Sequence, residues 1–409
     1  MKRTSSLLVA GLTAACATTP TAASAAPRPA PTGRGAVVSA EPVAAMAPDR
    51  VRAYLADVHP VLGSPRPRHA VTAYRVVYRT ITPGGRPTTA SGVVALPDGR
   101  GAVRAVGFAH GTHAARDIAG SVAEDGQGRV AAIYYAGAGY AGVAPDYLGL
   151  GLGPGFHPYG HAASEASASL DLLRAARAVA AAHGRRLERE VLLTGFSQGG
   201  QAAMALGREL QRGADPYLRL RALAPVSGPY DIRHQQIPES LRKGTGLDAR
   251  TSVFYTAYVT VTWQRMYGLY RKPSEVFKEP YASRVEKLFD GRKDFEEIGP
   301  HLPGNLRALL TPSYIARLRH PSGVLARAMR EADGTCGWRP RVPVRLFGAS
   351  GDEQVTYRNT RACLRALRAA GARPSSVDFG PGTRHFGTLF AGLPATLAWF
   401  GTLTSARPR

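Results

Sequence analysis

From residue 71 onward, short apolar runs rich in β-branched residues alternate with longer stretches whose apolar positions recur at helical spacing. That alternation is the pattern of a largely parallel sheet flanked by helices. The runs are Ala73 to Ile81, Ser91 to Leu96, Val103 to Ala109, Ala141 to Ala144, Val191 to Gly195, Leu220 to Pro225, Val342 to Phe347 and Ser376 to Phe379. Each of these eight predicts a strand. Between them, residues 161 to 183 predict a helix: Ala166, Leu170, Leu173 and Ala180 share one face, and Gly184 stops it.

One long interval breaks the alternation. Between Pro225 and Val342 no clear strand occurs, and Phe254, Tyr255, Tyr258, Trp263, Met266, Tyr267 and Tyr270 fall mostly three and four residues apart. That is more apolar surface than a lone exposed helix carries. Residues 231–335 therefore read as a helical cap inserted over the sheet, the alternative being a helical subdomain that does not touch substrate. The chain then divides into a first core segment, 49–230, the insertion, and a second core segment, 336–409.

The first 26 residues predict an export signal: Lys2 and Arg3, an apolar run from Leu7 to Ala15, and Ala23-Ser24-Ala25 as a small-residue cleavage site. The run is well short of the ~20 residues of a membrane span, and no transmembrane segment is expected after it. Residues 27–48, rich in Ala and Pro, read as a flexible leader. Cys16 follows Thr13-Ala14-Ala15, which leaves open lipidation there, and a surface-anchored protein, instead of cleavage after Ala25 and release. In an oxidising compartment the remaining pair, Cys336 and Cys363, is expected to form a disulfide, two unpaired buried thiols being the alternative.

With 409 residues, 44% hydrophobic and 20% charged, the chain buries a large core and is too apolar for a disordered protein. The net charge of +23 raises nucleic acid or an anionic surface as partner. The Arg residues are spread along the whole chain with no dense basic block interleaved with aromatics, so nucleic acid is not expected. A monomer is expected, with peripheral contact to lipid or anionic surfaces left open.

The chemistry centres on Gly195-Phe196-Ser197-Gln198-Gly199. A lone G-x-S-x-G is weak evidence in a chain with 46 glycines. Here, however, it follows the strand Val191-Leu192-Leu193-Thr194 and precedes a helix beginning Gly200-Gln201-Ala202, the strand-turn-helix setting of a nucleophile elbow. Ser197 is the candidate nucleophile. The Gln198 N–H at the helix start is the first oxyanion donor, and a second is expected from the backbone of Gly111 and Thr112, in the turn after Val103 to Ala109.

Serine needs a histidine base oriented by a carboxylate, and in this arrangement the order is Ser, acid, His. His385 is the histidine that follows the last predicted strand. Asp352 lies just past the strand ending at Phe347, where catalytic loops of open sheets gather; Glu353 and Asp231 are its rivals. His110 and His113 have no third ligand at suitable spacing, so neither metal nor cofactor is expected.

These residues resemble the secretory lipase family, the lipase A-like branch of the α/β hydrolases. The resemblance runs from about residue 70 to residue 400. It rests on Ala109-His110-Gly111-Thr112, on Ala144-Pro145-Asp146-Tyr147-Leu148-Gly149-Leu150-Gly151 with His157-Pro158-Tyr159, on Gly195-Phe196-Ser197-Gln198-Gly199-Gly200, and on Gly351-Asp352 with His385. It implies an α/β-hydrolase fold, a mostly parallel eight-stranded sheet flanked by helices with a helical lid before the acid. It also implies hydrolysis of a small-molecule or lipid ester through an acyl-enzyme. In that motif Asp146 looks like a structural turn residue. Acyl transfer or peptide hydrolysis by the same triad are the neighbouring readings, and a non-catalytic binder of anionic polymers is a more distant one.

Overall fold

In the computed structural model, which describes residues 33–405, nine strands form one sheet flanked by helices. The first half of the chain supplies β1 (Val37–Met46), α1 (Pro48–Val58), β2 (Val71–Ile81), β3 (Pro87–Pro97), β4 (Gly101–Ala109), α2 (Gln127–Gly137), β5 (Ala141–Pro145), α3 (Ala162–Ala182) and β6 (Arg185–Phe196). There follow α4 (Gln198–Gln211), β7 (Arg219–Val226), α5 (Ile237–Ser240) and α6 (Ala249–Tyr267). Next come α7 (Val285–Leu288), α8 (Phe295–Ile298), α9 (Leu306–Leu309), α10 (Pro312–Arg319) and α11 (Gly323–Asp333). The chain closes with β8 (Arg345–Gly348), α12 (Tyr357–Ala369), β9 (Ser375–Asp378) and α13 (His385–Ser405).

The strand order is β1-β2-β3-β5-β4-β6-β7-β8-β9. The pairs β1/β2, β2/β3 and β3/β5 are antiparallel, and every pair from β5 to β9 is parallel. Parallel strands covered on both faces read as continuous apolar runs. In β6, Leu193 packs among Leu170, Leu173 and Met204 under α3 and α4, while Leu192 packs on the other face with residues of α1, α2 and α13. Because both faces are buried, all three of Val191, Leu192 and Leu193 must be apolar, and that run is what marked the strand in the sequence.

The eight predicted strands correspond to β2 through β9, and the predicted helix at 161–183 corresponds to α3. The ninth strand overturns part of one expectation. Residues 37–46 are not a loose leader: β1 pairs with β2 along its length, with register shifts at Val37/Ser39 and Pro42/Ala44. Arg34 Nε donates to Asp171 Oδ2 at 3.0 Å and the Gly35 N–H to the Arg79 carbonyl at 2.8 Å. As an edge strand β1 leaves most of its residues partly or fully exposed, so it lacks the apolar signature that marks the others, and an edge tolerates Pro42. The export signal and Cys16 lie outside the described residues.

Between β7 and β8 the elements α5 to α11 build a core of their own, in which Phe254, Tyr258, Val261 and Trp263 of α6 pack with Phe277, Phe289 and Leu309. Tyr258 stacks on Phe289 with ring centroids 4.8 Å apart. A disulfide joins Cys336, just past α11, to Cys363 on α12. One further difference concerns α13: its residues His385–Leu403 are long and apolar enough to cross a membrane. Here that helix serves the sheet, burying Leu389, Leu393 and Phe400 against it.

Candidate active site

β6 ends at Phe196 and α4 begins at Gln198, which leaves one residue, Ser197, to turn the chain. Its backbone sits at φ +56°, ψ −120°, a conformation that a side chain strains, and its N–H is tied to the Val226 carbonyl at 2.9 Å. The flanking glycines are required by close approach. A Cβ on Gly195 would lie 2.2 Å from the Gly199 carbonyl oxygen, and one on Gly199 would lie 1.9 Å from that of Ala109.

The loops after β8 and β9 converge on this turn, as loops at the carboxyl ends of parallel strands do. Asp352 follows β8, and His385 opens α13 after β9. His385 Nδ1 lies 2.9 Å from Asp352 Oδ1 and 2.8 Å from Oδ2, and His385 Nε2 lies 2.9 Å from Ser197 Oγ. Since an ionised carboxylate only accepts, Nδ1 carries the imidazole hydrogen and Nε2 is left to accept from the serine hydroxyl. All three residues are buried. The Gln354 and Val355 N–H groups also donate to Asp352 Oδ1, at 3.0 and 2.9 Å, which fixes the carboxylate.

The rival acids stand elsewhere. Glu353 Oε2 accepts the His385 backbone N–H at 3.0 Å and pairs with Arg384 Nε at 3.1 Å, so it holds the histidine's backbone and not its ring. Asp231 caps the turn after it, accepting from the His234 N–H at 3.1 Å. Asp146 is buried and accepts from Ser91 Oγ at 2.6 Å and the Ser121 N–H at 3.1 Å, which holds a loop.

For the oxyanion donors the structure separates the two expected residues of the loop after β4. The Gly111 N–H is already committed, donating to Gln127 Oε1 at 3.0 Å, so Gly111 does not serve. Thr112 lines the same cavity as Ser197 and Gln198, and its N–H is the remaining candidate beside that of Gln198. The nearby His110 Nδ1 faces the Gly111 carbonyl at 2.6 Å and its Nε2 faces the Asp146 carbonyl at 3.3 Å, while its ring stacks on His113 at 4.4 Å. Burial pushes both histidines below their usual pKa, which keeps them neutral.

The cavity holds about 70 Å³. Ser197 opens onto it, and Tyr159, Ile232, Ile237, Tyr255, Val259 and Val355 line it, so α5 and α6 of the 231–335 segment form much of its wall.

Beneath the turn lies a buried polar group whose roles the sequence did not reveal. Gln198 Nε2 lies 2.7 Å from Glu165 Oε1 and 2.9 Å from His157 Nε2. Burial pushes the Glu165 carboxyl up to about 7 and the His157 imidazole down to about 3. Nothing in the sequence sets Glu165 apart from any acid in the first turn of a helix; the nearest available signal is the adjacent His157-Pro158-Tyr159 motif.

A sheet of this order, with a strained serine between β6, beside the central strand, and the next helix, defines an α/β hydrolase. No protein-family model matches the sequence, and no curated protein matches it. Among solved structures, the rice cell wall degrading esterase LipA from Xanthomonas oryzae is 29% identical, with a TM-score of 0.79 over 91% of this chain and 99% of that one. A Legionella pneumophila protein at 24% identity superposes with a TM-score of 0.81 over 91% of this chain and 99% of that one. Candida antarctica lipase A in its closed state, at 14% identity, shares the fold with a TM-score of 0.64 over 92% of this chain and 84% of that one. The chain has the α/β-hydrolase fold and is similar over nearly its whole length to a solved esterase of the lipase A-like kind, which supports hydrolase activity.

Proposed function

We propose that the protein is a serine carboxylic-ester hydrolase, exported from the cell, that works through an acyl-enzyme on Ser197. The observation that carries this reading is the hydrogen-bonded series Ser197, His385, Asp352, with Ser197 opening onto an apolar cavity. Ser197 Oγ attacks the ester carbonyl carbon while His385 Nε2 takes its proton, and Asp352 stabilises the imidazolium that forms. The tetrahedral oxyanion is held by the Gln198 N–H, which sits at the positive end of α4, and by the Thr112 N–H. His385 then gives its proton to the leaving alcohol. Water, deprotonated by the same imidazole, attacks the acyl carbon and frees the serine. The esterase activity of the Xanthomonas oryzae relative, which spans nearly the whole of that chain, agrees with this reading.

A fluorophosphonate probe is expected to label the folded wild type once, on Ser197, and Ser197→Ala is expected to abolish labelling. The same change should lower kcat for p-nitrophenyl butyrate by about 10⁴-fold or more without unfolding the protein. An unlabelled but folded wild type, or hydrolysis that survives Ser197→Ala at the original rate, would overturn the assignment.

A further inference from the structure

The group beneath Ser197 is fastened in a way that fixes its hydrogens. The Leu148 carbonyl, 3.0 Å from His157 Nδ1, can only accept, so Nδ1 carries the hydrogen of this neutral ring and Nε2 is a bare acceptor. Only the amide nitrogen of Gln198 can donate to it. Its second N–H then donates to Glu165 Oε1, so both hydrogens of one amide are spent on acceptors from two different segments, the loop before α3 and α3 itself. All three side chains are buried, Glu165 to 1% exposure and Gln198 to 2%.

We propose that Glu165 and His157 form a clamp on the Gln198 side chain that holds the backbone N–H of Gln198 in the oxyanion position, Glu165 acting as a positioning residue for the reaction. The proposal rests on Ser197 being the nucleophile. Its physical basis is that Ser197 occupies a strained backbone conformation directly before Gln198, and such a conformation persists where the surroundings over-determine it. The backbone on one side of Gln198 is held by the Ser197 to Val226 bond, and the clamp holds its side chain on the other. Neither Glu165 nor His157 lines the cavity onto which Ser197 opens. Glu165 can therefore alter the reaction only by letting an oxyanion donor drift, which weakens binding of the transition state more than binding of the ester.

The test is a double-mutant cycle on the full-length enzyme with p-nitrophenyl butyrate. Glu165→Leu removes the acceptor and is expected to lower kcat about 10- to 30-fold with KM changed less than about twofold, since a whole oxyanion donor is worth about 10²- to 10³-fold. Gln198→Ala, which keeps the backbone N–H but loses the clamped side chain, is expected to show a similar fall. Combining the two should cost no more than either alone, because both break one device. Glu165→Gln retains an acceptor oxygen and is expected to recover most of the loss. If Glu165→Leu does not fold, His157→Leu enters the cycle in its place with the same expectation.

Losses that multiply in the double variant, or a rise in KM at constant kcat, would overturn the clamp. End-point fluorophosphonate labelling of every variant separates the two proposals. An unlabelled wild type defeats the nucleophile reading and the clamp with it. Full labelling together with multiplicative losses defeats the clamp alone.

Discussion

At Asp352 two backbone N–H groups and one imidazole converge on a single carboxylate, while its neighbour Glu353 takes the histidine's backbone N–H and an arginine. The two acids are adjacent in sequence but differ in what each can do for the ring. Asp352→Asn presents an amide that fits the wrong imidazole tautomer, and kcat for p-nitrophenyl butyrate is expected to fall on the order of 10⁴-fold with the fold intact. Glu353→Gln keeps an oxygen for the His385 N–H and is expected to change kcat by only a few-fold. Comparable losses in the two variants would mean that the acid is shared or misassigned. That Ser197, Asp352 and His385 come together was legible in the sequence because each follows a strand end, and strand ends show in the apolar runs. The commitment of the Gly111 N–H was not legible, because the direction of a loop amide depends on a partner 16 residues away, Gln127, that no local pattern announces. Glu165 escaped notice for a related reason: burial of a first-turn carboxyl is decided by packing, and its partner Gln198 lies 33 residues away.

At the scale of elements, the cavity wall is shared between the turn after β6, which supplies Ser197, and the helices α5 and α6, which supply Ile237, Tyr255 and Val259. With about 70 Å³ of space, and about 10–15 Å³ needed for one water, the site suits an acyl chain of a few carbons. Activity against p-nitrophenyl esters is expected to peak at short acyl chains. Val259→Ala, which removes two methyl groups from the α6 wall, is expected to move that optimum toward longer chains; an unmoved optimum would mean that the acyl group binds elsewhere. The helical character of this segment was legible in the spacing of its aromatics. Which of its faces meets the cavity was not, because Phe254 and Tyr255 are adjacent aromatics, yet Phe254 is buried in the helical core and Tyr255 reaches the cavity, bonding Gln354 Oε1 at 2.5 Å. β1 was invisible for the opposite reason, since an edge strand owes its place to backbone pairing and not to apolar side chains.

Across the whole molecule, the buried ionisable groups set how stability responds to pH. His110, His113 and His157 are held neutral by burial, with pKa values below the usual 6.5, so unfolding takes up protons at these sites once pH falls below that value. Their contribution is fully present above about pH 6.5 and is lost progressively as pH falls, for His157 toward about 3. Glu165 and Asp333 work in the other direction: both are raised to about 7 by burial, so unfolding releases their protons, and stability falls as pH rises from the usual carboxylate range toward 7. The ionisable groups that feel Glu165 are Tyr147, Tyr159 and Tyr258, with His157 across the shared Gln198 amide, and none titrates in that interval, because burial lowers the histidine to about 3 and raises the three tyrosines. Glu165→Gln therefore isolates one carboxyl. The melting temperature of the variant relative to wild type is expected to climb between about pH 4.5 and 7 and then level off. A shift of Glu165 from 4.5 to about 7 corresponds to a climb on the order of 3 kcal/mol. A difference in melting temperature that stays constant from pH 4.5 to 8 would mean that Glu165 ionises in the folded protein as it does in the unfolded chain.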